Sequence, residues 1–291
     1  MAAAAAVGCG TTAVFEKGPL NTKVIRPISY HNGQVFFLTV ATPTEAGTYP
    51  VLVFLHGYAM FSWWYSSLLE HVASHGFILV APLLHDLGLT DKDDIETTKA
   101  PDLTRLALAG HSRGGDTAFA VAHPIPLDLK FSALIGVDPV AGLGSPDFLQ
   151  VKPRVLTGSF DPGMPVMVIG TGLGPEFSPG GLFPPRLPSI PCAPNGVNHV
   201  EFYDQCTSKS RYHLVAKDYG HLDMLDDAIP ALICKSCQGP EHTKELCRRT
   251  MAGLMVAFLK DKLRGEGHDL QAVLDNPGLA PADLLHPVEH A

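Results

Sequence analysis

The chain has 291 residues, of which 46% are hydrophobic and 17% charged, and it carries a formal net charge of -8. Such a chain can bury a large core, and α/β sheets of this size commonly form one domain, so a single catalytic domain is expected. The acidic balance argues against a nucleic-acid or anionic-membrane surface, which would need clustered cations, and no apolar run reaches the roughly 18 residues of a spanning helix.

The opening, "MAAAAAVGCGTTAVFEKG", has no cation before Lys17. It lacks the basic start of a secretory signal and the arginines of a transit peptide, so on sequence alone the protein reads as soluble and intracellular, with cytosol and an endomembrane surface both open. Residues 1–21 are read as a flexible N-terminal segment, 22–263 as the catalytic domain and 264–291 as a C-terminal tail. "KVIRPISY" and "QVFFLTVATP" are β-rich and flank Asn32-Gly33, a pair suited to a tight hairpin turn.

After Pro50 the segments "VLVFLHG", "FILVAPL", "LALAGHS", "SALIGVDPV" and "VMVIGTG" are almost uniformly apolar. Continuous apolarity means burial on both faces, the property of parallel strands covered by helices. Between them "SWWYSSLLEHVASHG" and "RGGDTAFAVAH" have helical character, which predicts an α/β fold with a mostly parallel central sheet and helices on both faces. A last strand is expected near "RYHLVAKD", and "HTKELCRRTMAGLMVAFLKDKL" puts Cys247, Met251, Leu254, Phe258 and Leu259 on one helical stripe.

Residues 170–196, about half Gly or Pro, cannot be regular structure. Leu173, Phe177, Leu182, Phe183, Leu187 and Ile190 favour a segment that packs, either a lid over the substrate or a structural crossover.

The chemistry centres on "LALAGHSRGG". Gly110, Ser112 and Gly114 form GxSxG, with His111 and Gly115 beside them, after a buried strand and before a helix. In that setting the serine occupies a sharp turn at a strand tip, as α/β-hydrolase nucleophiles do. A serine hydroxyl needs a base held by a carboxylate, and in this fold the chain order is Ser, acid, His. His221, after the last strand and next to Gly220, is the base; His213 lies inside a strand and His242 in a later turn. Two acids compete. Asp138 ends a strand before Pro139, while Glu176 follows the next strand, the more usual place; the shorter, more rigidly set Asp138 is preferred. The oxyanion donors are the backbone N–H of Arg113 and that of Tyr58, after the His56-Gly57 strand end, and His56 itself is read as structural.

In "YAMFSWWYSS", Met60, Phe61, Trp63, Trp64 and Tyr65 either pack a helix core or wall an apolar cleft, together with Phe177 and Phe183 of the Gly/Pro-rich segment. Cys234, Cys237, His242 and Cys247 have zinc-knuckle spacing. Their apolar and amphipathic flanks favour a disulfide or structural thiols instead, so no metal is assigned.

"GHSRGG", "FSALIGVDPV" and the early "VLVFLHGY" loop together resemble the plant chlorophyllases, from about Thr22 to Leu263. The resemblance implies an α/β-hydrolase that cleaves the phytyl ester of chlorophyll with Ser112, Asp138 and His221. It implies no cofactor, chlorophyll as lipophilic partner, peripheral membrane contact at most, and a chloroplast location that the N-terminus does not itself support. Two rivals use the same scaffold: a general carboxylesterase or lipase, and a non-catalytic tetrapyrrole-binding or hormone-binding protein. Retention of both Ser112 and His221 disfavours the last.

Overall fold

The uniformly apolar segments become parallel strands in a computed structural model that describes residues 12–26, 28–31, 34–83, 100–122, 130–142, 154–176, 191–230, 239 and 243–291. In chain order these residues form β1 (Thr22–Ile25), β2 (Ile28–His31), β3 (Gln34–Pro43), β4 (Thr48–Leu55), a 3₁₀ turn (Ser62–Tyr65), α1 (Ser66–Ser74) and β5 (Ile78–Pro82). There follow β6 (Ala100–His111), α2 (Arg113–Ala122), β7 (Ala133–Val137), β8 (Val166–Thr171), α3 (His199–Asp204), β9 (Arg211–Ala216), α4 (Lys244–Arg264), α5 (His268–Asp275) and β10 (Glu289–His290). The strand order is β1-β3-β5-β4-β6-β7-β8-β9-β10, with β2 paired to β3. From β5 across to β9 every neighbouring pair is parallel. The edge pairings β1/β3, β3/β5 and β9/β10 are antiparallel.

The expected hairpin is present, with His31 opposite Gln34 across the two-residue connection. "KVIRPISY" is nevertheless two strands rather than one. β1 ends at Ile25 and β2 begins at Ile28, and the sequence between them holds a proline, whose ring has no N–H to offer a ladder.

Alternate residues of the central strands serve two cores. Phe54, Ala107, Ala109, Ile135, Val137, Met167 and Ile169 pack with α1 and α4, while Leu55, Leu108, Leu134, Val166 and Val168 pack with α2 and α3. The period of two along a strand sends neighbours to opposite faces, so a strand apolar at every position must be sandwiched. Cys247, Met251, Leu254, Phe258 and Leu259 are all buried on α4, as the helical stripe predicts.

The domain edges drawn at residues 22 and 263 do not match the packing. Val14 and Phe15 are buried, and a Cβ on Gly253 of α4 would lie 2.3 Å from the Phe15 ring. Beyond Leu263, Leu270, Val273 and Leu284 join the same core, and β10 extends the sheet. A few apolar residues without periodicity suffice to dock both ends, because each fully buried side chain contributes roughly 1.5–3 kcal/mol. Among the described residues, no helix is long and apolar enough to cross a membrane.

Candidate active site

Ser112 sits in the one-residue gap between β6 and α2, with φ of 57°. That left-handed backbone is costly for a residue with a side chain and persists only where the surroundings enforce it. Here both flanking glycines enforce it. A Cβ on Gly110 would stand 2.2 Å from the Gly114 carbonyl oxygen, and one on Gly114 would stand 2.2 Å from that of Leu55. Strand and helix therefore meet backbone to backbone, and the hydroxyl is left at the strand tip.

Asp138 follows β7 with φ of 43° and is fully buried. Its backbone N–H donates to the Ile169 carbonyl at 2.6 Å, and the Ser112 N–H donates to the Val137 carbonyl at 3.2 Å, so both turns are tied to the neighbouring strand. Since β6, β7 and β9 run parallel, Ser112, Asp138 and His221 all follow strand C-terminal ends and share one rim of the sheet.

There the three side chains form one chain of hydrogen bonds. His221 Nε2 lies 2.8 Å from Ser112 Oγ, and His221 Nδ1 lies 2.6 Å from Asp138 Oδ2. Thr171 supports the acid, donating its hydroxyl to Oδ2 at 2.7 Å and its backbone N–H to Oδ1 at 3.0 Å. Burial alone would raise the Asp138 carboxyl, but the hydrogen bond and charge of His221, the nearby His199 and the Thr171 hydroxyl outweigh it and bring the group down to about 2. These partners thus favour the charged carboxylate. Glu176, the competing acid, is exposed on the arm after β8.

His111, flagged only as part of the motif, is a buried strut. Its Nε2 is 2.9 Å from the carbonyl oxygen of His221 and its Nδ1 is 2.7 Å from the Tyr65 hydroxyl. A carbonyl only accepts, so Nε2 carries the proton, and the Tyr65 hydroxyl donates to Nδ1. The same hydroxyl oxygen accepts the Gly57 N–H at 3.1 Å. Burial, with the adjacent His221 ring adding to it, pushes the His111 imidazole down to about 3, so it stays neutral. One chain of contacts thus links the loop before Tyr58 to the loop that carries His221.

Gly57 also lies against Ser112, since a Cβ there would come within 3.1 Å of Ser112 Cβ and 2.9 Å of the Met60 sulfur. That puts Tyr58 beside Ser112, and the Arg113 guanidinium lies 5.6 Å from the Tyr58 ring centroid. His56 is buried, with Nδ1 2.8 Å from the Gly57 carbonyl oxygen, in keeping with a structural imidazole.

The aromatic run divides between its two readings. Met60, Trp64 and Tyr65 are buried in the core, whereas Phe61 and Trp63 are partly exposed and stack at 4.3 Å, with Arg26 5.5 Å from the Trp63 ring. Phe177, Phe183, the middle of the proposed lid, Cys234, Cys237 and His242 lie outside the described residues. The lid's two arms are described: Ala193 N–H donates to the Gly174 carbonyl at 3.0 Å, and a Cβ on Gly174 would lie 3.2 Å from Asp138 Oδ2. The described ends of the Gly/Pro-rich segment therefore lie beside Asp138. Cys247 is buried, and among the described residues no group of three or more His, Cys, Asp or Glu could hold a metal.

Sequence reasoning missed Tyr65 as a buried hydroxyl, Thr171, and Asp223, whose Oδ2 accepts the N–H groups of Gly220 and Gly239, both at 2.6 Å. The one signal on offer was position, since Thr171 ends β8 and Asp223 stands two residues after His221.

The chlorophyllase family profile matches residues 10–100 and 92–290. The chain belongs to the chlorophyllase family. Chlorophyllase-1 of Arabidopsis thaliana is 40% identical, with 94% of this chain and 91% of the relative aligned. Chlorophyllase-2 of the same plant is 44% identical over 82% of this chain and 81% of its own length. The Citrus unshiu relative named "Chlorophyllase-1, chloroplastic" is 39% identical over 85% of this chain and 78% of its own. Membership makes the chain a carboxylic ester hydrolase of plant chlorophyllase type, with the mostly parallel sheet and flanking helices of the α/β-hydrolase fold.

Proposed function

We propose that this protein hydrolyses the ester between the propionate side chain of chlorophyll and phytol, with Ser112, His221 and Asp138 as its catalytic triad. The observation that carries the reading is the unbroken hydrogen-bond chain from Ser112 Oγ through His221 to Asp138 at the rim of a chlorophyllase-family sheet.

Ser112 Oγ attacks the ester carbonyl as His221 Nε2 takes its proton, while Asp138 orients the imidazole and offsets its new charge. The oxyanion is met by the backbone N–H groups of Tyr58 and Arg113, the second at the N-terminus of α2. His221 then gives its proton to the departing phytol oxygen. Water, deprotonated by the same His221, attacks the acyl-enzyme and releases the porphyrin acid and Ser112. Ser112, His221 and water account for each bond made and broken. Phe61 and Trp63, stacked and partly exposed, supply an apolar ledge for so large a substrate. The chloroplast is the compartment proposed, on the printed name of the Citrus relatives.

Hydrolysis of chlorophyll a in detergent, run beside a short-chain nitrophenyl ester with wild type and Ser112→Ala, tests both substrate and nucleophile. Chlorophyllide and phytol from wild type alone support the reading. Turnover of the nitrophenyl ester with chlorophyll untouched would leave the triad and reject the substrate, making the protein a general esterase.

A further inference from the structure

The chain from Tyr219 to Asp223, with His221 at its centre, is bound at both ends to the segment that leads into α4. Asp223 is fully buried, and one of its oxygens, Oδ2, accepts two N–H groups at 2.6 Å each, from Gly220 and from Gly239. At the other end the Tyr219 hydroxyl donates to the Thr243 carbonyl at 3.1 Å, one residue before α4 begins. A Cβ on Gly239 would lie 2.7 Å from both Asp223 Oδ2 and the Tyr219 ring, so Gly239 sits against the two residues that flank His221.

Asp223 also closes a turn on itself. Its own N–H donates to the Gly220 carbonyl at 3.1 Å while its carboxylate takes the Gly220 N–H, so the two residues bind each other in both directions around His221 and Leu222. Leu222 is buried in the core, and the His221 carbonyl oxygen accepts from His111 Nε2 at 2.9 Å. The backbone is thereby held before, at and after His221. Only side-chain torsions are left to set its ring between Ser112 and Asp138.

The second oxygen of Asp223 is the unusual one. Oδ1 is buried with no hydrogen-bond partner among the described residues, and an unmet polar atom in an interior is destabilising. Closing the turn at Gly220 needs a single short acceptor, which a serine hydroxyl supplies without that penalty. Holding Gly239 as well needs both lone pairs of one longer-reaching oxygen, and a carboxylate makes such bonds roughly twice as strong as a neutral acceptor does. The unmet oxygen accompanies a stiffer clamp than a turn requires.

We propose that Asp223 is a positioning residue for the ester hydrolysis, its carboxylate pinning the His221 loop to the segment before α4 and so holding His221 Nε2 on Ser112 Oγ. This rests on the reading of Ser112, His221 and Asp138 as the triad. Asp223 acts through His221 and never meets the ester. The leverage is large, because displacing a reacting group by about 1 Å can lower a rate about 10²-fold.

The test is steady-state hydrolysis of a short-chain nitrophenyl ester by Asp223→Ala and Asp223→Asn, with the melting temperature of each. Asp223→Ala should lower kcat by about thirtyfold and leave KM within about twofold, since His221 shifts while the contacts to substrate stay. Asp223→Asn keeps one oxygen for both N–H groups and should restore kcat to within about threefold of wild type. Its melting temperature should still fall, because the amide nitrogen takes the place of the unmet Oδ1. A residue that only shaped the turn would lower stability in both variants and kcat in neither. Folded Asp223→Ala with near-normal kcat would overturn the proposal, as would a raised KM in place of the lowered kcat, or an Asp223→Asn as slow as Asp223→Ala. Should Asp223→Ala not fold, Gly239→Ala takes its place: its methyl, 2.7 Å from Oδ2, should displace the carboxylate and lower kcat with KM unchanged, and a normal kcat there would overturn the proposal too. Ser112→Ala and His221→Ala run alongside separate the two readings. Activity in either one removes the triad, whereas loss in both beside a normal Asp223→Ala removes only the role of Asp223.

Discussion

The turn at Ser112 is held by backbone, whereas the loop of His221 is held by side chains. At Ser112 two glycines let a strand and a helix close to contact, and the peptide groups on either side belong to the sheet and to α2. At His221 the supports are the imidazole of His111 on the residue's own carbonyl and the carboxylate of Asp223 on the N–H of Gly220. A serine held by close-packed peptide groups tolerates no added atom, whereas a histidine held by polar side chains can lose one support and weaken by degrees. Substitutions at the two sites should therefore fail differently.

The largest effect is expected where the two regions act as a unit. Ser112→Ala and His221→Ala should each lower kcat by about 10⁶-fold with the melting temperature kept, as for a nucleophile and base that work together. A folded variant of either kind with near-normal chlorophyll turnover would remove the triad. Asp138→Asn should cost about 10⁴-fold, because an amide favours the wrong imidazole tautomer. Glu176→Gln, on an exposed arm, should cost less than twofold, and the reverse order in steady-state assays would move the acid to Glu176.

Next comes the contrast itself. Gly114→Ala puts a methyl 2.2 Å from one carbonyl oxygen and 2.4 Å from another, and rigid backbone cannot yield without parting strand from helix. The expected loss is about 3 kcal/mol or more in urea unfolding, with soluble yield falling accordingly. Tyr65→Phe, by contrast, keeps the ring and removes one hydroxyl from between Gly57 N–H and His111 Nδ1. It should cost about 1–3 kcal/mol for the two polar groups left unpaired, with kcat down by about tenfold and KM little changed. Equal damage from the two variants would erase the distinction between the regions.

The same distinction explains what could be read from the sequence. GxSxG is local, so Gly110, Ser112 and Gly114 announce themselves within five residues, and Asp138 is marked by the end of an apolar strand before Pro139. Parallel strands were legible because burial on both faces leaves no polar alternation. Tyr65 and His111 are 46 residues apart, and Thr171 and Asp138 are 33 apart; no pattern in a linear chain marks a pair that only the fold brings together. The docked ends were missed for a related reason. Two apolar residues near the start and a two-residue strand near the finish carry no period to detect, and their burial depends on a groove made by other elements.

The most gradual effect lies in the pH dependence of stability, where the His111 strut has a definite sign. Its ordinary imidazole value of 6.5 falls to about 3 on folding, because the buried ring must stay neutral. Between those values the unfolded chain binds a proton that the folded protein refuses, so stability rises with pH across the window. The contribution is complete above about 6.5 and is lost progressively as pH falls toward about 3, at up to about 1.4 kcal/mol per unit for one proton. His71, His75 and His199, whose imidazoles burial also lowers, act in the same direction. The Asp138 carboxylate, held near 2, adds a separate loss only below the ordinary carboxylate value of 3.8. Urea unfolding at pH 7.0, 6.0 and 5.0 should therefore show stability already declining above the carboxylate range, with net proton uptake on unfolding of at least one. A flat profile down to pH 5 would mean that the buried imidazole takes up its proton without unfolding, and a neutral strut beneath the His221 loop would have to be abandoned.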